Sequence, residues 1–511
     1  MKLAAEPRHG GLWVALGLLV YAAVWLALLA ATSLSPPTDN IEQLTWLHSL
    51  EWGYYKHPPL PTWLLWLPAQ LFGANAWTSY ATGAALTLAA MGLMWRLLAR
   101  LRGRRHATLA LLTMLCITYY NGRLYYYNHN VVLMFFASAS AALCWQAHSS
   151  RQLRWWAALG VALGLGLLAK YQVVVTMTSV FVFWLSQRGW RDPLQRRGLW
   201  LALLIVLVIF TPHLWWLSTH DFAPFRYANE TSLGLHLGVA QRWAEALHWL
   251  VDQVANRALP AWALLAVALY TARRSAKPSD EVEKAPETAA EKTAQAVSVA
   301  ATDPQQHAAS RALLWCWGLM PLLFMPLVVV VAGAEPQLQW GTPFMLFAVP
   351  AAMEWVGPRS GWSRLPMRPA LIAFAVIQGL LLLLSQLTSP SGPAALRDRH
   401  WRSFDSPALA ALLEAPARQA LSGGPICVVS GPPKEAGALA LRLADRPLVL
   451  IDGRYDRSPW VSAELVQRCG VLELRRGELA AGGRPVGPAF PELSWRVLPP
   501  HATPAQGTPR P

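Results

Sequence analysis

The chain has 511 residues, 54% of them hydrophobic and only 14% charged, with 27 tryptophans and a formal net charge of +15. Soluble domains average about 25% charged residues, so an ordinary soluble protein is excluded and a multi-pass membrane protein is expected. Nor does the charge mark a nucleic-acid binder. It gathers at Arg96–Arg105, Arg151 and Arg154, Arg188–Arg197, Arg273–Lys277 and Arg359–Arg368, each cluster in a short connection between apolar segments. That is the bias of cytoplasmic loops.

The first apolar stretch, 11–31, is long enough to cross a hydrocarbon core of about 30 Å. Lys2 and Arg8 precede it, as in a signal peptide, but it exceeds a usual apolar leader segment and reads as an uncleaved helix. Further spans are expected at 75–98, 107–122, 131–147, 155–169, 171–187, 198–217, 247–272, 311–332, 341–357 and 369–388. With a cytoplasmic N-terminus, alternation puts every basic cluster inside. The span 247–272 carries His248, Asp252, Gln253, Asn256 and Arg257 in its first half, and its polar face must look into the bundle or lie near the surface because charge facing lipid is costly. Lys170 and Tyr171 divide 155–187 into two spans joined by an outer turn.

Residues 274–308 are rich in Ala, Glu, Lys and Pro without aromatics and read as a disordered cytoplasmic linker. No internal repeat suggests duplicated halves. The predicted organisation is a membrane domain over 1–392, a small outer α/β domain over 393–499 and a disordered tail over 500–511. The outer domain rests on ICVVS (426–430), PLVLID (447–452) and GVLEL (470–474), which alternate with helical patterns. Cys427 and Cys469 flank two of these strands and suit a disulfide in an oxidising compartment; Cys116, Cys144 and Cys316 lie in apolar spans and read as packing.

Alternation also gathers polar residues at the outer rim. Asp39, Glu42, Tyr55, Lys56 and His57 fall in the first external loop, and Arg123 with Asn128, His129 and Asn130 in the second. Lys170 and Tyr171 make the third, His213, His220, Asp221 and Arg226 the fourth, and Glu335, Gln339 and Trp340 the fifth. Structural readings stand beside functional ones: Asp39 and Glu42 have the spacing of a capping box, Lys56 could snorkel, and Tyr125–Tyr127 suit an aromatic belt. The histidines lack metal-site spacing, so no cofactor is required and a divalent metal is only weakly supported. The set suits transfer from a lipid-linked phosphate. Cations would hold and neutralise a leaving phosphate, and a carboxylate would take the acceptor's proton.

The first-loop stretch TDNIEQLTWLHSLEWGYYKHPPLPTW (38–63) resembles that of bacterial glycosyltransferase family 39, a GT-C group related to lipid A aminoarabinose transferases and protein O-mannosyltransferases. LGLGLLAKYQ (163–172) and PHLWWLSTHDFAPFRY (212–227) resemble two later signatures of the group, in the right order. The resemblance implies an all-α polytopic fold of about eleven spans with surface helices at the outer face. It implies an inverting transferase using an undecaprenyl-phosphate sugar, with Asp39 matching the catalytic aspartate. Glu42 is the nearest further acid, Lys56, Lys170, Arg226 and Arg123 are the cations expected at the donor phosphate, and His57, Tyr55, Asn128, His129, Asn130, Tyr171, His220 and Glu335 are expected to line the substrate site. The chain departs from the pattern at Asn40, where relatives have glutamate, at Lys56, where many have aspartate, and at Asn130, at or near another aspartate; each change removes negative charge, which suits an anionic substrate. The expected setting is the bacterial inner membrane with the site facing the periplasm. Lipid A or lipopolysaccharide core is the favoured acceptor; protein or O-antigen acceptors, and a lipid-linked sugar flippase, are the alternatives.

Overall fold

In the computed structural model the described residues are 9–232, 237–275, 304–356, 362, 367–397, 400–477 and 482–500. Eighteen α-helices are named among them. They are α1 (His9–Ala31), α2 (Thr38–Trp46), α3 (Leu60–Phe72), α4 (Ala76–Arg102), α5 (Arg104–Met114), α6 (His129–Ser150) and α7 (Leu153–Ala169). Next come α8 (Val174–Ser186), α9 (Pro193–Thr219), α10 (Ala223–Thr231), α11 (Val239–Val251) and α12 (Leu259–Ser275). The remainder are α13 (Pro304–Ala332), α14 (Met345–Val356), α15 (Met367–Leu387), α16 (Ser406–Ala420), α17 (Pro433–Ala440) and α18 (Ala463–Cys469).

Local chemistry starts the helices that matter for the outer face. Asn75 caps α4 by accepting from the Thr78 amide at 3.0 Å, and Asn128 caps α6 by accepting from the Val131 amide at 3.0 Å. Asp192 does the same for α9, with Pro193 in its first turn. The first and last of the long apolar helices are stapled together: the Trp25 indole of α1 donates to the Gln378 side chain of α15 at 3.0 Å. At the far end of α4 the Arg102 guanidinium makes a two-pronged pair with Glu354 of α14, at 2.6 and 3.0 Å, and donates to Ser310 of α13. α4 rises about 1.5 Å per residue, so this clamp lies roughly 40 Å from its N-terminal turn.

Eleven spans were expected, and the helices found are fewer by the strict measure. Among the described residues six are long and apolar enough to cross a membrane: α1, α4, α6, α9, α13 and α15. A seventh is gained if Val239–Arg257 and Leu259–Arg274, bent by 52°, count as one, and Leu153–Ala169, Tyr171–Ser186 and Met345–Val356 are shorter apolar helices. The bend follows a π-helical stretch, Asp252–Arg257, that carries the polar run noted in the sequence. The span expected over 107–122 is the clearest departure. α5 stops at Met114, and the chain then runs in turns because the Asn121 side chain bonds the Leu115 and Ile117 carbonyls and the Thr118 amide is taken by the Arg257 carbonyl. Most of the expected linker lies outside the described residues; α13 begins at Pro304, inside its C-terminal end.

Beyond α15 a five-stranded sheet forms in the order β2-β1-β3-β5-β4. The strands are β1 (Val428–Gly431), β2 (Leu448–Ile451), β3 (Val471–Arg476), β4 (Arg484–Pro485) and β5 (Leu493–Leu498). β1 runs parallel to β2 (Val428 beside Leu448) and to β3 (Val429 beside Leu472), whereas β3–β5 and β5–β4 are antiparallel. The helices α16 and α17 pack on it, and Cys427 and Cys469 are joined in a disulfide. The core of this unit does not close on itself: Trp46, Tyr54 and Tyr55, from the connection after α1, share one apolar cluster with Leu409, Leu439, Val449 and Leu472. First loop and C-terminal unit therefore lie at the same end of the bundle, so an even number of crossings separates them.

The disulfide closes a loop with a sequence separation of 42. By chain entropy such a cross-link is worth roughly 4 kcal/mol. Reduction, or Cys469→Ser, should lower the thermal midpoint of the C-terminal unit in detergent-purified protein by several degrees, and an unchanged midpoint would count against a structural role.

Candidate active site

The site is built around the short helix α2, whose residues Asn40 to Trp46 are all buried. A nine-residue helix is not stable alone, and Asn40 supplies the anchorage. Its amide nitrogen donates to Ser79 Oγ on α4 at 2.9 Å and to the Tyr125 carbonyl at 3.0 Å, while its oxygen accepts the Tyr127 amide at 2.9 Å. The second external loop is thus pinned to α2 and lies close on α4, where a Cβ at Gly83 would stand 2.2 Å from the Tyr126 carbonyl. Thr62 of α3 donates to Gln43 at 2.9 Å.

The capping-box reading of Asp39 is not what is found. Pro37 occupies the cap position without a side-chain bond, and Asp39 sits in the first turn. Its Oδ2 instead accepts from the Asn128 side chain at 2.8 Å, its one side-chain hydrogen bond among the described residues. Asn128 therefore both starts α6 and holds the Asp39 carboxylate.

Two lysines flank this carboxylate in contrasting states. Lys56 Nζ pairs with both oxygens of Glu42, at 3.0 and 3.2 Å, and lies 5.5 Å over the Tyr227 ring. Burial alone would lower its pKa, but Glu42, with Tyr227 and Tyr55, raises it well above the usual lysine value. Glu42 is the counterion of Lys56 rather than a free acid, and its own pKa is raised by burial against the pull of Lys56. Lys170 follows α7 in extended backbone and donates to the Asn130 side chain at 2.6 Å, 5.8 Å over the Trp340 ring. Burial lowers it to about 7, opposed by Asp39 and aided by Lys56. Between them the His57 and His129 rings lie 3.9 Å apart, both against Trp46. Burial first, then His129, Lys56 and Lys170, depress His57 well below the ordinary histidine value, so it is neutral.

Of the remaining expected residues, Tyr171 belongs to a relay beside this centre. The His213 Nδ1–H donates to the Trp52 carbonyl at 2.6 Å, which leaves Nε2 to accept the Tyr171 hydroxyl at 2.8 Å. His220 stacks on Trp216 at 4.3 Å, one layer out. Tyr55 meets Tyr227 edge-on at 5.6 Å. Arg226 does not join the cluster: its side chain is 56% exposed, 4.0 Å from exposed Asp221. The Glu335 amide bonds the Ser232 carbonyl, which ties the start of the fifth loop to the end of α10. Arg123 lies over the Tyr119 and Tyr126 rings at 5.8 and 5.6 Å and lines a small cavity of about 20 Å³ with Tyr126, Asn128, Gln339 and Thr342. That is room for one water, and Asn128 connects it to Asp39.

Sequence reasoning gave no role to Asp252, Gln253 and Arg257, noting only that their side must face the bundle or lie near the surface. Arg257 pairs with Asp252 at 3.0 Å and lies 5.2 Å over Tyr119, and Gln253 donates to the Tyr119 hydroxyl at 3.2 Å. The π-helical stretch thus backs the Arg123 cavity. Tyr227 was missed beside the less useful Arg226. Arg457 of the C-terminal unit, 5.0 Å over the Tyr55 ring, left no signal at all.

This geometry meets known proteins in two ways. Residues 56–216 match the family described as dolichyl-phosphate-mannose-protein mannosyltransferase. The crystal structure of ArnT from Cupriavidus metallidurans bound to undecaprenyl phosphate covers 96% of this chain and 98% of its own at a TM-score of 0.57 and 15% identity. The family likeness rests on that segment, and the likeness in fold extends over nearly the whole chain. The chain is also 30% identical over 220 residues to the lipopolysaccharide core galacturonosyltransferase RgtB of Rhizobium johnstonii, 42% of this chain and 44% of that protein. It is 23% identical over 239 residues to the lipid A galacturonosyltransferase RgtD of the same organism, 46% and 49% of the two. It therefore spans about half the length of the curated relatives it matches. At 15% identity the ArnT likeness speaks for the fold.

An amine with a pKa of about 7 is protonated and inert below that value and a free nucleophile above it, where ordinary lysines near 10.4 remain charged. Lys170 should react with an amine-selective acylating reagent at pH 8, with half-maximal labelling near pH 7 by peptide mass spectrometry. Labelling that begins only above pH 9 would remove the depressed value.

Proposed function

We propose that this chain is an inner-membrane glycosyltransferase that moves a sugar from a polyprenyl phosphate to lipid A or lipopolysaccharide core at the periplasmic face. The observation that carries this reading is Asp39, held among the described residues by the Asn128 side chain and felt electrostatically at Lys56 and Lys170. A carboxylate with one tether and two amines beside it has the parts for base-assisted displacement of a phosphate. The matched family segment and the fold support the reaction class. The names of the two curated relatives, both galacturonosyltransferases, support the acceptor and favour a uronic acid as the sugar. Eleven crossings, reached by counting α5, the three shorter apolar helices and the bent pair, are the arrangement proposed.

In the proposed step the acceptor oxygen attacks the anomeric carbon and its proton passes to Asp39. The bond from that carbon to the phosphate oxygen breaks, and the electron pair leaves with the polyprenyl phosphate, so the product is inverted. Lys56, fixed by Glu42, offers a permanent cation to the phosphate. Lys170, with its one hydrogen bond among the described residues to neutral Asn130, gains its full charge when an anion arrives. Trp46, Tyr55 and the neutral His57 and His129 line an aromatic wall that suits a sugar face.

Positioned general-base catalysis contributes roughly 10²–10⁴-fold. Asp39→Asn should keep the fold and lower kcat by that factor in an assay with undecaprenyl-phosphate galacturonate and purified lipid A. Wild-type turnover in that variant would take Asp39 out of the mechanism. Equal kinetics with a plain hexose donor would defeat the uronic-acid assignment and leave the reaction class standing.

A further inference from the structure

The sequence leaves open that the C-terminal unit is a mere accessory. The contacts that hold α2 point the other way. The chain entering α2 is strapped to the C-terminal unit at consecutive residues: the Leu34 amide donates to the Arg402 carbonyl at 2.9 Å, and the Leu34 carbonyl accepts from Ser406 Oγ at 3.0 Å and from the Arg442 guanidinium at 2.8 Å. Ser35 Oγ donates to the Phe404 carbonyl at 2.8 Å. Past α2, Trp46, Tyr54 and Tyr55 are buried in the apolar core of that unit, and Arg457 covers the Tyr55 ring.

Between these straps α17 lies directly on α2. A Cβ built on Gly437 would stand 2.4 Å from Ile41 Cγ2 and 3.3 Å from Thr45 Oγ1. Ile41 is fully buried, and its β-branched side chain has little freedom at χ1, so it cannot swing aside; α2 itself would have to move. α17 is in turn fixed to the sheet by the buried Glu435, which pairs with Arg476. Asp39 lies two residues before Ile41, on the same turn, and among the described residues its side chain has the one bond to Asn128.

We propose that the C-terminal unit is the positioning element of the catalytic carboxylate, and that Gly437 is the residue through which α17 sets the height of α2 and hence of Asp39. This rests on the reading of Asp39 as the base. Gly437 touches no reacting group and acts through Ile41, so truncating Ile41 must undo the harm of a side chain at 437.

The test uses the full-length protein with undecaprenyl-phosphate galacturonate and purified lipid A, comparing Gly437→Ala, Ile41→Ala and the double variant. Gly437→Ala is expected to lower kcat about ten-fold while the donor KM stays within about two-fold, since Lys170 is carried by a different element. The double variant is expected to return to the kcat of Ile41→Ala alone. Wild-type kcat in Gly437→Ala, or a loss that Ile41→Ala does not relieve, overturns the proposal. Should Gly437→Ala not yield folded protein, Arg442→Ala decides: a lowered kcat at an unchanged thermal midpoint supports the strap, and an unchanged kcat overturns it. Full activity of Asp39→Asn would defeat the proposed base and the positioning role with it, whereas inactive Asp39→Asn beside normal Gly437→Ala and Arg442→Ala defeats only the positioning role.

Discussion

Everything at the outer face hangs on the three hydrogen bonds of Asn40. A primary amide can donate twice and accept at its oxygen, and this one is buried with its donors and its acceptor in use. It joins the first loop, α4 and the second loop at a single point. That junction brings Asp39 from one loop within reach of Asn128 from the other. Relatives of the resembled family place a glutamate at this position. A carboxylate could not donate to both Ser79 and the Tyr125 carbonyl, so in this chain the residue is a clamp.

The two lysines follow from different solutions to the same burial problem. Lys56 keeps its charge by taking Glu42 with it; the pair is partly covered, and removing either partner would strand the other in a poorly hydrated site at a cost of several kcal/mol. Lys170 takes only an amide oxygen and the face of Trp340, which does not compensate desolvation, and its pKa falls. One cation is therefore standing and the other conditional. The monoanionic phosphodiester of a donor entering between them would meet attraction from Lys56 at long range and would itself supply the charge that protonates Lys170.

How much of this was legible depended on whether the signal was local. The Pro-Pro corner at 58–59, the Lys170–Tyr171 turn and the apolar helices are local, and they appear where hydropathy and proline chemistry put them. The Cys427–Cys469 pairing followed from compartment and strand position. Span 107–122 failed because hydropathy measures apolarity and cannot see that Asn121 and the Arg257 carbonyl hold the backbone in turns. The Asp39–Glu42 spacing suggested a capping box, but the proline at the cap position and the two loop partners, Asn128 and Lys56, took those side chains elsewhere. Arg226 and Tyr227 are neighbours on one helix, and only tertiary geometry could tell that the ring, and not the cation, faces the site. Arg457 lies four hundred residues from Tyr55 and could be found only in three dimensions.

The asparagines of the second loop bear on the chemistry as directly as Asp39 does. With an acid at 128, two carboxylates would face each other at hydrogen-bond distance, and one would have to hold a proton. Asn128 presents an N–H instead, so Asp39 keeps one oxygen satisfied and the other open. With an acid at 130, Lys170 would be locked as an ion pair like that of Lys56. Asn130 leaves the amine uncompensated and ready for an anion from outside. The two asparagines thus fix a single base and free a cation, and they keep the negative potential below what two acids would impose on a carboxylate-bearing sugar.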